Sequence, residues 1–227
     1  MKIFTQNKNG IVIVDKPAGI TSHDVVSFVR RRFQMKKVGH AGTLDPLATG
    51  VLVVLLGPST RLFDKFVAFD KAYNATLKLG TTTTTADIEG KVIRELPFAA
   101  IGQSEVEVAF RGFVGNIKQK PPMVSAVKHN GQRLYKLARK GIEVDRQARD
   151  IKVSLLKVLS FSLPYVKFCL ECSKGTYVRK LAEDIGQVLG CGACISQIER
   201  TKVGPFSIDE SISLEELNES HIRSWPG

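Results

Sequence analysis

The sequence predicts one continuous domain of the α+β or mixed α/β class. Segments with strand patterning and segments with helix patterning are interspersed along the 227 residues, with no internal repeat and no long linker. A composition of 43% hydrophobic and 24% charged residues suits a folded chain with a sizeable core.

Taken in order, Ile11-Val12-Ile13-Val14-Asp15 has the run of a short buried strand, and Lys16-Pro17-Ala18-Gly19 stops it. A helix is expected next. Thr21 or Ser22 can cap it and Asp24 complements the dipole in its first turn. Val25, Val26, Val29 and Phe33 form its apolar stripe, while Arg30, Arg31 and Arg32 point outward. Residues 51–56 are a continuous apolar run between Gly50 and Gly57-Pro58, which suits a strand buried on both faces. Asp45 precedes that strand, and Pro46 disfavours the α region for it, so an extended or turn conformation on a loop is expected.

Tyr73, Ala75, Leu77 and Leu79 alternate with Asn74, Thr76 and Lys78 in the period of a half-buried strand, with Tyr73 on the apolar face. The five threonines at 81–85, followed by Ala86-Asp87-Ile88-Glu89-Gly90, are expected to form a loop between strands. Ser104-Glu105-Val106-Glu107 matches a capping box and opens a helix carrying Val106, Ala109, Phe110 and Phe113. Leu134, Leu137 and Ala138 mark another helix, closed by Gly141, with Arg133, Lys136, Arg139 and Lys140 on its other side. Residues 151–159 and 166–172 have strand patterning, and Val178, Leu181, Ile185 and Leu189 describe a helix ending at Gly190. A final short helix is expected where Ser213 and Glu216 can form a cap.

The 33 Lys and Arg against 22 Asp and Glu leave a formal charge of +11, which points to a polyanionic partner such as nucleic acid. The plainer alternative is a solvated basic surface. No apolar run approaches the roughly 20 residues that span a bilayer. The start, Met1-Lys2-Ile3-Phe4-Thr5-Gln6-Asn7-Lys8-Asn9-Gly10, has no signal-peptide core, so a cytoplasmic location with reduced cysteines is expected.

Cys169-x-x-Cys172 and Cys191-x-x-Cys194, 18 residues apart, fit a zinc-ribbon spacing. An offset of three along a strand, however, sends the first two sulfurs to opposite faces, so no metal is expected and core thiols are the simpler reading. Lys174-Gly175-Thr176 lacks the upstream glycine of a nucleotide-binding phosphate loop. Gly39-His40-Ala41-Gly42 has the spacing of an RNA-clamping Gly-x-x-Gly loop, but Asp45 would bring an anion against phosphates. What remains is Asp45 with His40 nearby, a strand-borne Tyr73, and Ser173-Lys174-Gly175-Thr176-Tyr177-Val178-Arg179. A carboxylate beside an arginine is held in its charged form and tyrosines stack on pyrimidines; equally, Asp45 could cap a turn, Tyr73 could be core and Arg179 a phosphate contact.

The twelve residues Gly39-His40-Ala41-Gly42-Thr43-Leu44-Asp45-Pro46-Leu47-Ala48-Thr49-Gly50 closely resemble the catalytic segment of the TruB family of tRNA pseudouridine synthases. Supporting segments occur in the family's order: 15–22, Lys71-Ala72-Tyr73, Pro121-Pro122-Met123-Val124-Ser125-Ala126-Val127-Lys128 and 172–179. The resemblance runs from about residue 10 to Glu216. It implies an α+β pseudouridine synthase fold, a long mixed and largely antiparallel sheet flanked by helices, with the active site in a central basic cleft. It implies isomerisation of uridine 55 in the T loop of tRNA, without a cofactor or metal.

By the same resemblance Asp45 is the catalytic aspartate, Tyr73 stacks on the uracil and assists proton removal, and Arg179 pairs with Asp45. Tyr177 and Ile198 line the uracil pocket, His40 helps hold a splayed RNA loop, Asp87 joins the charge network, and Lys16 is a substrate-side lysine of the first segment. Residues 1–210 are then the catalytic domain and 211–227 a short helix and tail, without the small C-terminal RNA-binding domain common in the family. The implied partner is the T stem and loop of tRNA, gripped by Arg30, Arg31, Arg32 and the basic stretch 128–140. No membrane, guide RNA or obligate protein partner is expected. The alternatives are the guide-RNA-dependent branch of the family, an RNA-binding protein without turnover, and a zinc-dependent nucleic-acid enzyme.

Overall fold

The structure, a computed structural model, describes residues 8–125, 127–129 and 131–225. Residues 1–7, part of the stretch read for a signal peptide, and Ala126 and Asn130, within two of the segments singled out, lie outside the described residues. In chain order the elements begin β1 (Gly10–Lys16), α1 (Ser22–Arg32), β2 (Val38–Ala41), β3 (Thr49–Leu56), α2 (Phe63–Val67) and β4 (Lys71–Leu79). Next come β5 (Thr81–Thr83), β6 (Val92–Glu95), α3 (Gln103–Arg111), β7 (Gly115–Gln119), β8 (Lys128–His129), β9 (Gln132–Arg133) and α4 (Leu134–Ala138). The chain closes with β10 (Arg149–Ser162), β11 (Tyr165–Cys172), α5 (Val178–Val188), β12 (Ala193–Val203) and β13 (Phe206–Ser207). Helices flank a mixed, largely antiparallel sheet, as the resemblance implies.

Two compact units are distinguished, one containing residues up to Asn74 together with those from Gln197 onward, the other Ala75–Ser196. In the first, β3 is the centre. β1 pairs antiparallel along its whole length, from Gly10 opposite Leu56 to Lys16 opposite Gly50. The other edge of β3 is shared: β2 pairs antiparallel down to Ala41 opposite Val53, and β12 takes over in parallel at Arg200 opposite Gly50. The apolar run forces this central place, because residues 50–56 are all buried and can be covered only from both faces. Ile13, Val53, Leu55, Phe66, Val203 and Phe206 form the core on one side. On α1, Val25, Val26, Val29 and Phe33 are buried as their spacing predicts, and Thr21 with Asp24 makes a reciprocal capping box.

In the second unit the strand order is β12-β4-β11-β10-β7. β10 and β11 form a long antiparallel hairpin, and α3 lies on β10, with Phe110 edge-on to Phe168 at 5.6 Å. Along β11 burial alternates, so Cys172 is buried and Cys169 faces outward, on opposite faces as their offset requires.

Three local expectations are corrected. Thr81, Thr82 and Thr83 form a strand paired with β6 instead of a loop, consistent with the preference of β-branched residues for extended backbone. The cap of α3 is Gly102, whose N–H donates to Glu105 at 3.0 Å, so Ser104 lies inside the helix. Ser213 and Glu216 do hydrogen bond, but they close a turn; the helical residues beyond them are one 3-10 turn, Glu219–His221. The segment then returns to β1, where Ile11 and Arg223 exchange backbone hydrogen bonds of 2.9 Å.

Candidate active site

Between β2 and β3 the chain makes one excursion, residues 42–48, and Asp45 stands near its middle. The N–H of Ala48 donates to Asp45 O at 3.1 Å, closing a turn with Pro46 in its second position, the place where its fixed φ is pre-set. The turn is therefore the one the Asp-Pro pair predicts, and the Asp45 side chain is half-buried.

Buried side chains fix this loop at three points. Ser22, at the first position of α1 and 1% exposed, accepts from Leu44 N–H at 2.8 Å and donates to Leu44 O at 3.0 Å. Lys16, fully buried at the end of β1, donates its ammonium to Pro17 O and Ile20 O at 2.8 Å and to Pro46 O at 3.3 Å. Arg200 of β12, 2% exposed, donates Nε to Val51 O at 2.7 Å and Nη2 to Gly42 O at 3.0 Å. Each satisfies a carbonyl or N–H that a loop buried next to a sheet would otherwise leave unpaired. Lys16, expected on the substrate side, is thus enclosed, and its ammonium faces backbone.

His40 lies on β2 opposite Val54. Burial, and then the positive charges of Arg200 and His23, pull its pKa from the ordinary 6.5 down to about 4, so it is neutral at physiological pH. Its Nδ1 is buried and has no hydrogen-bond partner among the described residues. Tyr73 on β4 is 8% exposed, and Ile198 on β12 is 9% exposed, one residue before the start of the β12–β3 pairing.

The remaining predicted residues belong to the second unit, where two of them meet. Arg179, in the first turn of α5 and 4% exposed, has Nη1 3.5 Å from Asp87 Oδ2, itself 5% exposed. The same guanidinium donates to Thr85 O at 2.7 Å and to Val124 O at 3.1 Å. Asp87 accepts from Thr85 Oγ1 and from the N–H of Glu89. Its backbone segment is stitched to β12 by Ile195 N–H to Ala86 O and Ile88 N–H to Ile195 O, both 2.9 Å. A buried pair so surrounded is rigid, and removing one partner strands the other charge at a cost of about 3–5 kcal/mol. Tyr177 caps α5. Its N–H donates to Gln119 Oε1 at 2.8 Å and its carbonyl accepts from Gln119 Nε2 at 3.1 Å, which fixes where the helix starts.

Sequence reasoning missed Ser22 as more than a cap, and missed Arg200 and Gln119 altogether. The one available signal was Arg200 itself: it shares the buried phase of its strand with Ile198, a place where a charge needs a reason.

Comparison with known structures first gives the class. The fold matches a chain in the crystal structure of a Cbf5-Nop10-Gar1 complex with a TM-score of 0.74 at 31% identity, covering 96% of this chain and 56% of that one. It also matches a chain in the structure of an H/ACA RNP bound to a substrate RNA containing 2'-deoxyuridine, with a TM-score of 0.70 at 28% identity, covering 93% of this chain and 53% of that one. The chain thus spans about half the length of these solved chains.

The sequence then fixes the family. Residues 30–178 match the model of the TruB family pseudouridylate synthase N-terminal domain, and residues 179–224 match that of the tRNA pseudouridylate synthase B C-terminal domain. Curated relatives named tRNA pseudouridine synthase B are 51% identical in Clostridium tetani, over 96% of this chain and 75% of that protein, and 43% identical in Pseudomonas aeruginosa, over 100% and 74%. The chain belongs to the TruB family of pseudouridylate synthases.

Proposed function

We propose that this chain isomerises uridine to pseudouridine at position 55, in the T loop of tRNA, with Asp45 as the catalytic carboxylate. The observation that carries the reading is the Asp45 loop: a half-buried carboxylate on backbone fixed by Ser22, Lys16 and Arg200, in a chain 51% identical to a protein named tRNA pseudouridine synthase B. Fixed backbone keeps a reacting group in place without reorganisation at the moment of reaction.

The reaction breaks the bond between N1 of uracil and C1′ of ribose, turns the base, and joins C5 to C1′; the proton lost from C5 is matched by one gained at N1. Product and substrate are isomers, so no cofactor is consumed. One carboxylate suffices because neither fragment is released to water, unlike most glycoside hydrolases, which use two. Tyr73 is assigned to stacking on the uracil and assisting proton removal, and Tyr177 and Ile198 to lining its pocket. Arg179, oriented by Asp87, is assigned as the cation partnered with Asp45. His40, being neutral, offers an uncharged imidazole against a base lifted from its stack.

The test is to incubate the protein alone with an unmodified tRNA transcript and map the product. Pseudouridine at position 55, formed without a guide RNA or a second protein, is expected. Asp45→Asn should abolish tritium release from C5-labelled uridine while tRNA affinity stays within a few fold. A wild-type protein that makes no pseudouridine in this assay, or an active Asp45→Asn, overturns the reading.

A further inference from the structure

Arg200 is the largest of the fully buried side chains, and it spends its guanidinium on two backbone carbonyls. Those carbonyls are the two feet of the Asp45 loop. Gly42 O is on the first residue after β2, and Val51 O is on the third residue of β3, just past the loop's return. The position is set by topology, because one edge of β3 is held by β2 as far as Val53 and by β12 from Gly50. The loop must leave through the gap between them, and Arg200, opposite Gly50, is the residue of β12 at that gap. At Gly50 the approach is close enough that a Cβ there would lie 2.3 Å from Arg200 O, so the backbone that carries the guanidinium is packed directly against β3.

A guanidinium presents several N–H donors in a rigid fork, which lets one side chain bridge two carbonyls at fixed separation. Lysine has the charge without that fork. Burying a cation on carbonyls alone is costly, and a strand position in phase with Ile198 would be filled more stably by an aliphatic residue.

We propose that Arg200 is a positioning residue for the reaction: it clamps the two feet of the loop and so fixes the place of the Asp45 carboxylate. This rests on the assignment of Asp45 above. Arg200 itself touches no reacting atom, so its loss should slow the chemical step and leave RNA binding nearly unchanged.

The experiment compares wild type, Arg200→Lys and Arg200→Met, with rates normalised to the folded fraction measured by circular dichroism at 20 °C. Single-turnover formation of pseudouridine in a tRNA transcript should fall on the order of 100-fold, the scale expected of a misplacement of about 1 Å, while the dissociation constant for the transcript changes less than threefold. Arg200→Lys should be no better than Arg200→Met, since charge without the fork does not restore the clamp. In parallel, amide hydrogen exchange of the peptide covering residues 42–48 should quicken about tenfold in both variants, with the β1 and β3 amides unchanged.

A folded variant with the wild-type rate overturns the proposal, as does one whose loss lies in RNA affinity. If both variants fail to fold, Arg200 is a general core residue and the clamp is equally overturned. The exchange arm needs no activity: if wild type makes no pseudouridine, the functional reading fails, and unchanged loop exchange would separately dismiss the clamp.

Discussion

At Leu44 the backbone has no strand partner and takes both of its hydrogen bonds from one serine hydroxyl. Ser22→Ala therefore orphans an N–H and a carbonyl at a residue 4% exposed, each worth about 1–3 kcal/mol when left unmade. A urea titration should show a fall in midpoint with unchanged slope, and an unchanged midpoint would refute the double contact. His40 carries a second expectation. Its folded pKa, about 4, lies below the ordinary 6.5, so the unfolded chain binds a proton that the fold refuses. Its contribution to stability is complete above pH 6.5 and is lost as pH falls from there through 4. His40→Gln should flatten that part of the stability profile, and the wild-type imidazole should titrate near pH 4 by NMR. At this scale the sequence disclosed Asp45 and its turn, because proline speaks for its neighbour. It did not disclose why the turn is rigid, because the braces sit 22 residues before Leu44 and 158 after Gly42.

The parallel contact of β12 with β3 is the element that shapes the loop's exit, and Gly50 is its tightest point. There φ is +98° and an added Cβ would meet Arg200 O at 2.3 Å and Arg200 N at 2.8 Å, both backbone. Gly50→Ala combines backbone strain with a clash that only separating the strands can relieve, so a loss of more than about 3 kcal/mol is expected. Gly175→Ala is the control: φ there is +82°, yet no atom of the described residues would lie within 4 Å of the added Cβ, and about 1–2 kcal/mol of strain is the expected effect. Denaturant midpoints of the two variants should differ clearly, and equal losses would show that the β12–β3 approach is not tight. Elements with strong periodicity were legible in advance, as β4, α1 and α5 show, and so was β3 from its unbroken apolar run. β5 was not, because a run of identical threonines has no alternation to read. The Ser213 cap misled because a capping box stabilises a single turn as readily as a helix, and the backbone is held to β1 on either side, at Ile212 and at Arg223.

For the whole molecule the net charge of +11 foretells salt-sensitive binding of a polyanion, but the structure decides which cations are available for it. Arg30, Arg31 and Arg32 looked equivalent on the outward face of α1. Arg30, half-buried, donates Nη2 to Val38 O at 2.9 Å and so braces the first unit, whereas Arg32 donates Nε to Leu217 O at 2.9 Å yet stays exposed, as Arg31 does. Charge and structure can therefore be separated by mutation. Arg31→Ala should weaken binding of a tRNA transcript and lower the slope of log affinity against log salt by about 1, with the urea midpoint unmoved. Arg30→Ala should lower the urea midpoint, because Val38 O loses a charge-assisted hydrogen bond worth about 1.5–3 kcal/mol. If Arg31→Ala leaves the salt slope as it was, Arg31 does not touch the phosphates. The basic stretch 128–140 is the other expected grip, and Lys136→Ala and Lys140→Ala would each then be expected to lower the slope instead.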